Sequence, residues 1–450
     1  MRVQVAGRPL RWATACTAAL ICLAGLAGVA LAGWSAPKTL SSRGGVATYP
    51  QVGVDRKGDA VAAWGQAHGQ GSVVLISQRS RGHSWSRPVR VSPLNADSYT
   101  PQVAVAPSGA AVVVWENDPV SGSRPSFIEA VSRASRGARW RGPVKISTKG
   151  VNSYFPAAGI DASGQATAIW VSTRHHENLI QAATVQASRG GWSAPRTITV
   201  TGQELLWPQL ALDGRGDAVA MWICCGRGSE LRSGLHHIVK AAFRPAGHSS
   251  WQGPTTIGQE YELPFQGDGA FEFPGPRVAI DAHGEALIVW QHKDHGKVIA
   301  QAAFKSPGKR WQEPQPISNR DALEPHVGMD ARGDAVVIWQ GTNRSVFTAT
   351  RAAGAKRWSA PFKLANAESA FDRYAHVAVD AGGEALATWS GGTIDASVRA
   401  HMSGKWTRPA KLGSGELSEP ALDAGGQGWV VWQQFPANSS DIVIEAAGWG

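Results

Sequence analysis

Alternating apolar and polar positions dominate this chain, and the alternation recurs with a period of about 50 residues. One copy reads PQLALDGRGDAVAMW (208–222), followed by an apolar run and then WSAPRTIT (192–199 in the preceding copy). Eight copies of the first half end at Trp64, Trp115, Trp170, Trp222, Trp290, Trp339, Trp389 and Trp432. Pairs such as Val103 and Val105, or Val278 and Ile280, show the period-two pattern of a half-buried strand. A D-x-x-G turn follows, as in Asp55 to Gly58 and Asp281 to Gly284. There the glycine takes up positive φ and the aspartate accepts hydrogen bonds from the turn's own amides. The second strand runs into the tryptophan. A third strand such as Val298 to Phe304 and a fourth of the type W-x-x-P-x-x-I/L complete the unit. Four strands per copy make one blade of a β-propeller.

The two ends of the chain share one unit. The eighth copy has its first three strands but stops at Trp449-Gly450, where a fourth would begin, and a complete fourth-strand segment, Trp34 to Ser41, precedes the first copy. The expectation is therefore an all-β, eight-bladed propeller of four-stranded blades, closed by its N-terminal strand so that no sheet edge is left open. A β-solenoid is the alternative, but it offers no reason to divide one unit between the two ends.

Residues 1–32 read as a signal peptide: Arg2, Arg8 and Arg11 precede the apolar stretch Ala13 to Ala32, which closes on Ala30-Leu31-Ala32. Residues 33–450 read as a single propeller domain in a secreted, extracellular and monomeric protein. Retention at the cell surface by an uncleaved N-terminal segment is the alternative. Of four cysteines, Cys16 and Cys22 fall in this leader. The adjacent Cys224 and Cys225 are open to three readings: a strained ring, free thiols or metal ligands.

The formal net charge is +10, and its distribution divides a propeller into two faces. Turns between strands three and four are basic (Arg79 and Arg81; Arg133, Arg136 and Arg139; Lys305, Lys309 and Arg310; Arg351, Lys356 and Arg357). Connections between blades, which emerge near the axis on the other face, are acidic and include Glu324 and Glu419. Tyr99, Tyr154, Trp207 and Tyr374 stand at the start of innermost strands on that acidic face. Aromatic faces beside carboxylates suit a sugar or a cation. Export and the lack of a recognisable module exclude nucleic acid as a partner.

Loops between strands two and three of three consecutive blades carry metal-ligand chemistry: His175-His176, His236-His237 and His292 with His295, together with Glu177, Glu230 and the cysteine pair. Imidazole and carboxylate ligands suit zinc or manganese, and an open site of this kind activates water. The tripeptides Arg215-Gly216-Asp217 and Arg332-Gly333-Asp334 belong to the repeat's turn rather than to an adhesion motif.

The segments SRGHSWSRPVRVS (80–92), SRGARWRGPVKIS (135–147) and SPGKRWQEPQPIS (306–318) resemble the Asp-box, or neuraminidase repeat, of sialidase-like propellers. Glycine stands three residues before tryptophan, and Ser80, Ser135 and Ser306 stand where the motif has its aspartate. The resemblance implies propeller topology. The sialidase set of an arginine triad, a tyrosine with its glutamate and an acid-base aspartate has no counterpart at matching positions. The functional expectation is a binding protein that recognises a glycan, cell-wall polymer or extracellular protein at the acidic, aromatic-rimmed face. A metal-assisted polysaccharide lyase or glycoside hydrolase is the alternative.

Overall fold

The computed structural model describes residues 33–94, 96–119, 125–224, 236–261, 275–319, 322–341, 343–366, 375–401, 404–437 and 439–450, with backbone alone at 236, 260 and 261. The leader read at 1–32 lies outside the described residues. Among the described residues there is no helix, and the strands form eight four-stranded antiparallel sheets. The protein is an eight-bladed β-propeller. Blades one to eight have inner strands Ala47–Val54, Ala96–Val105, Asn152–Ile160, Leu205–Leu212, Arg277–Ile280, Leu323–Met329, Ala375–Val379 and Glu416–Leu422.

The division of blade eight between the chain ends is as expected. Lys38–Thr39 pairs with the strand Val443–Trp449, and the Leu40 amide donates to the Ile444 carbonyl at 2.7 Å. Trp34 and Trp449 bring their rings to 5.4 Å.

Each strand-two tryptophan has less than 2 % of its surface exposed and packs on the sheet before it in the ring. Trp115 lies against Val74 and Ile76 of blade one, Trp222 against Ile169 and Ile180 of blade three, and Trp64 against Val431 and Ile444 of blade eight. The large indole recurs because sheets fanned about an axis diverge outward, and only a large side chain fills the wedge between them. Gly258 and Gly413 make room for it: a Cβ on Gly258 would sit 2.6 Å from Trp290, and one on Gly413 3.1 Å from Trp432.

Near the axis the constraint is reversed. The fifth position of the inner motif is Gly53, Ala104, Gly159, Ala211, Ala279, Gly328, Ala378 or Ala421. A Cβ on Gly328 would lie 2.5 Å from the Val379 side chain, and one on Gly53 2.7 Å from that of Val105. Inner strands converge there, so each must be narrow on the side facing its neighbour.

The D-x-x-G turns form as the residues dictate. Oδ1 of Asp55, Asp161, Asp213, Asp281, Asp330, Asp380 and Asp423 accepts amides two and four residues on. An acid at the fifth turn position ties in the next hairpin, as when Asp217 Oδ1 accepts the Ala246 amide at 2.7 Å. The Arg215 guanidinium closes on Asp213 (3.1 Å) and Asp217 (2.8 Å) of its own turn.

Part of the basic face dissolves into packing. Arg133, Lys305 and Arg351 are buried, with their cationic heads over Trp140, Phe243 and Phe304 respectively. Arg351 also pairs with Glu285 of the preceding blade at 3.2 Å. These cations end a third strand at a blade interface, where stacking on an aromatic face and a neighbouring acid offset their desolvation. Arg136 pairs with Asp55 and Asp59 of blade one. Arg81, Arg139, Lys309 and Arg310 remain exposed.

Two outcomes follow for stability. Trp222→Ala is expected to lower equilibrium stability by about 3–5 kcal/mol in urea unfolding, and a loss under about 1 kcal/mol would remove the wedge role. Gly328→Val is expected to cost about 1–3 kcal/mol through overpacking at the axis, read in the same assay.

Candidate functional site

The start of the inner strand is irregular in a repeated way. Tyr49, Thr100, Phe155, Trp207, Glu324 and Leu417 have φ between 48° and 55°, and the pairing of inner strand to second strand shifts register beside each of them. Left-handed backbone costs a non-glycine residue roughly 1–2 kcal/mol. Bulges of this kind re-aim side chains. Here Tyr49, Thr100 and Trp207 line the axial cavity together with the residue two further on, Phe155 lines it by itself, and after Glu324 and Leu417 it is His326 and Glu419 that do so.

The bulges are braced across blade boundaries. The Tyr49 amide donates to Gln433 Oε1 at 2.8 Å, that of Phe155 to Glu116 Oε2 at 3.0 Å and that of Glu324 to Gln291 Oε1 at 3.1 Å. Each acceptor directly follows the buried tryptophan of the preceding blade. The residue that fixes blade packing therefore also sets the side chain that holds the next bulge.

The result is an axial funnel, a cavity of about 240 Å³ with lining contributed by all eight inner strands. Its first half, from blades one to four, carries Tyr49, Phe155 and Trp207 with Gln51, Gln102 and Gln209. Its second half carries Arg277, His326, His376 and Glu419, one from each of blades five to eight. The rings of His326 and His376 stack at 4.6 Å between centroids, and His376 Nδ1 lies 3.3 Å from Glu419 Oε1. Burial, with His376 and Arg277 alongside, holds His326 well below the usual imidazole range, so it is neutral at pH 7. Arg277 donates to the Gly275 carbonyl at 3.0 Å and is ion-paired to no carboxylate among the described residues. Thr100 also lines the cavity, while its Oγ1 is shielded and has no hydrogen-bond partner among the described residues.

Of the residues singled out from sequence, Trp207 and Glu419 line the funnel. Glu324 is at a bulge, held through its amide. Tyr374 lies outside the described residues. Tyr99 and Tyr154 are one residue before the bulge and turn away from the lining: Tyr99 donates to Asp118 Oδ2 at 2.6 Å and to Glu116 Oε1 at 3.1 Å, while the Tyr154 hydroxyl bonds to that of Thr173. Sequence reasoning missed Arg277, His326 and His376. Their signal was present, since they occupy the motif position that is glutamine in Pro50-Gln51, Pro101-Gln102 and Pro208-Gln209.

The histidine loops have local explanations. His175 and His176 both have positive φ (48° and 67°) and form the two-residue turn between Gln165–Arg174 and Glu177–Gln186. His295 (φ 45°) and Gly296 form the equivalent turn in blade five, where His295 Nδ1 is 2.5 Å from Asp294 Oδ1. His292 Nδ1 is 2.9 Å from the Gln259 carbonyl. His237 is buried beside Trp207, and its pKa is lowered by burial. The His236 side chain, Cys225 and Glu230 lie outside the described residues. Cys224 is a buried thiol that donates to Gln203 Oε1 at 2.8 Å. Among the described residues no three His, Cys, Asp or Glu side chains converge to hold a metal ion such as zinc or manganese.

No protein-family model matches the chain, and no curated protein matches it. Solved structures similar to it include a fungal alcohol oxidase in complex with copper (10 % identity, TM-score 0.49, 93 % of this chain and 76 % of that one). A second is the polysaccharide lyase Uly1 (7 %, 0.48, 89 % of each chain). A third is the K499G mutant of NanB sialidase from Streptococcus pneumoniae (9 %, 0.40, 92 % and 70 %). At these identities and scores they carry nothing about chemistry. Fold and geometry define the class directly: a β-propeller with a polar, aromatic-sided axial funnel.

The brace at Glu116 is open to a pH test. Its carboxyl is pushed up to about 7, chiefly by burial, against the lowering effect of the Phe155 amide. The folded state then holds a proton more tightly than the unfolded chain, so this group's contribution to stability falls as pH rises from about 4.5 to about 7. Glu116→Gln is expected to gain relative to the unaltered protein across that window, by on the order of 3 kcal/mol, with a flat difference above about pH 8. Thermal unfolding across pH checks this, and parallel curves for the two proteins would refute it.

Proposed function

We propose that this is an exported recognition protein that binds a glycan, as a free oligosaccharide or as part of a cell-wall polymer, in the axial funnel. One observation carries the reading: the funnel joins three aromatic side chains and three primary amides on one half to Arg277, His326, His376 and Glu419 on the other. Aromatic faces stack on the apolar face of a pyranose, and side-chain amides pair with vicinal hydroxyls. Pockets for drug-sized ligands run from about 300 to 1,000 Å³. The funnel is smaller and suits one sugar ring with its neighbours extending outward. A rigid ring that holds these groups with cross-blade braces favours recognition, because little side-chain freedom is lost on binding. The export reading rests on the N-terminal leader pattern.

A second reading, glycoside hydrolysis or polysaccharide lysis, draws support from the His376–Glu419 contact beside a neutral His326. That is the arrangement of a base with its orienting carboxylate.

Isothermal titration against a panel of cell-wall oligosaccharides tests the binding reading. Trp207→Ala is expected to weaken the bound member at least tenfold while shifting the unfolding midpoint by only a few degrees. Unchanged affinity would count against the funnel as the site. Release of product from the bound member, lost in His376→Ala, would favour the catalytic reading.

A further inference from the structure

We infer that the funnel selects an acidic sugar and that Arg277 receives its carboxylate; this rests on the glycan reading above. Arg277 is only half buried and lines the cavity. The other arginines at the blade interfaces behave differently. Arg351 answers Glu285, Arg136 answers Asp55 and Asp59, and Arg133 stacks on Trp140. Among the described residues, Arg277 has a single backbone carbonyl as its hydrogen-bond partner. A guanidinium presents five donors in a planar fork, so most of its donor capacity here remains open to the funnel.

The surroundings keep that charge available. His326 is the neighbour on the next inner strand and is neutral at pH 7, so it neither competes for an anion as a second cation nor neutralises the arginine. The acid in the same half of the funnel, Glu419, belongs to blade eight, three blades on from Arg277, and is engaged with His376. On the other side of Arg277, in blade four, stand Trp207 and Gln209. A ring stacked on Trp207 would thus turn its edge substituent toward Arg277 and its hydroxyls toward Gln209. A carboxylate on a sugar ring fits this set, because a planar anion takes two parallel hydrogen bonds from the fork while the hydroxyls meet amides. A neutral sugar would leave a partly desolvated guanidinium without its best partner.

The test compares uronic-acid oligosaccharides (galacturonate, glucuronate and mannuronate) with their methyl esters by isothermal titration, using the mature full-length protein at pH 7. Esterification removes the charge and keeps the ring. At least one acid is expected to bind ten or more times tighter than its ester. Arg277→Gln is expected to bring that ratio to about one, and Arg277→Lys to restore it only in part because an ammonium lacks the fork. Equal binding of acid and ester overturns the carboxylate assignment and leaves the glycan reading standing. An acid preference that survives in Arg277→Gln overturns the role of Arg277. Failure of every acid and every ester to bind overturns the acidic-sugar inference, and failure of the wider oligosaccharide panel as well overturns the glycan reading. The acid-to-ester ratio of the unaltered protein needs no variant, so a folding defect in Arg277→Gln leaves the inference testable.

Discussion

The ring depends on one contact made eight times: the strand-two indole of each blade seated on strands two and three of the blade before it. Burial of an apolar side chain is worth roughly 1.5–3 kcal/mol each, and an indole is among the largest available. Because the contact is directional, each blade supplies a tryptophan to one neighbour and receives one from the other. Such a set is complete only when the last blade meets the first, which Trp64 against Val431 and Ile444 achieves. The chain's split blade serves the same end, since Lys38–Thr39 on Val443–Trp449 ties the two termini into one sheet.

Closure also explains the architecture of the funnel. Eight strands converging on an axis must be narrow, hence the glycine and alanine at the fifth motif position, and they leave a small hole lined by the third position of seven copies and by the first position of blades one to four. The bulges before that position are held by Gln433, Glu116 and Gln291, each the residue next to a packing tryptophan. Stability and site geometry are therefore coupled through adjacent residues of one strand. The outer edges are handled differently: some fourth strands are short, as in Val89–Arg90 and Gln315–Pro316, and the W-x-x-P proline removes an amide that would otherwise template edge pairing.

Much of this architecture is legible in the residues themselves. The tryptophan spacing, the D-x-x-G turns and the divided eighth unit identify a closed eight-bladed ring, because each is a local pattern repeated enough times to exclude accident. Trp207 and Glu419 are legible as funnel residues from their place before or within an inner strand. Tyr99 and Tyr154 are not: they precede the bulge by one residue, and in a strand one residue reverses the direction of a side chain. Histidines 175, 176 and 295 occupy tight-turn positions of positive φ, a fact of backbone geometry that residue chemistry does not announce. Arg133, Lys305 and Arg351 read as a basic face by charge, yet they lie over aromatic rings between blades.

The repeat unit, the number of blades, the way the ring closes and the chemical identity of every group available to the axis are properties of the amino-acid sequence alone. They follow from periodicity and from the short-range chemistry of turns. Folding in three dimensions is what sets Arg277, His326, His376 and Glu419, spread over more than 140 residues, side by side in one cavity, opposite glutamines and aromatics from the other half of the chain. The physical reason is that equivalent positions of a closed repeat become neighbours around an axis, whatever their separation along the chain. Which of them face the axis is set by a bulge whose brace comes from the blade before.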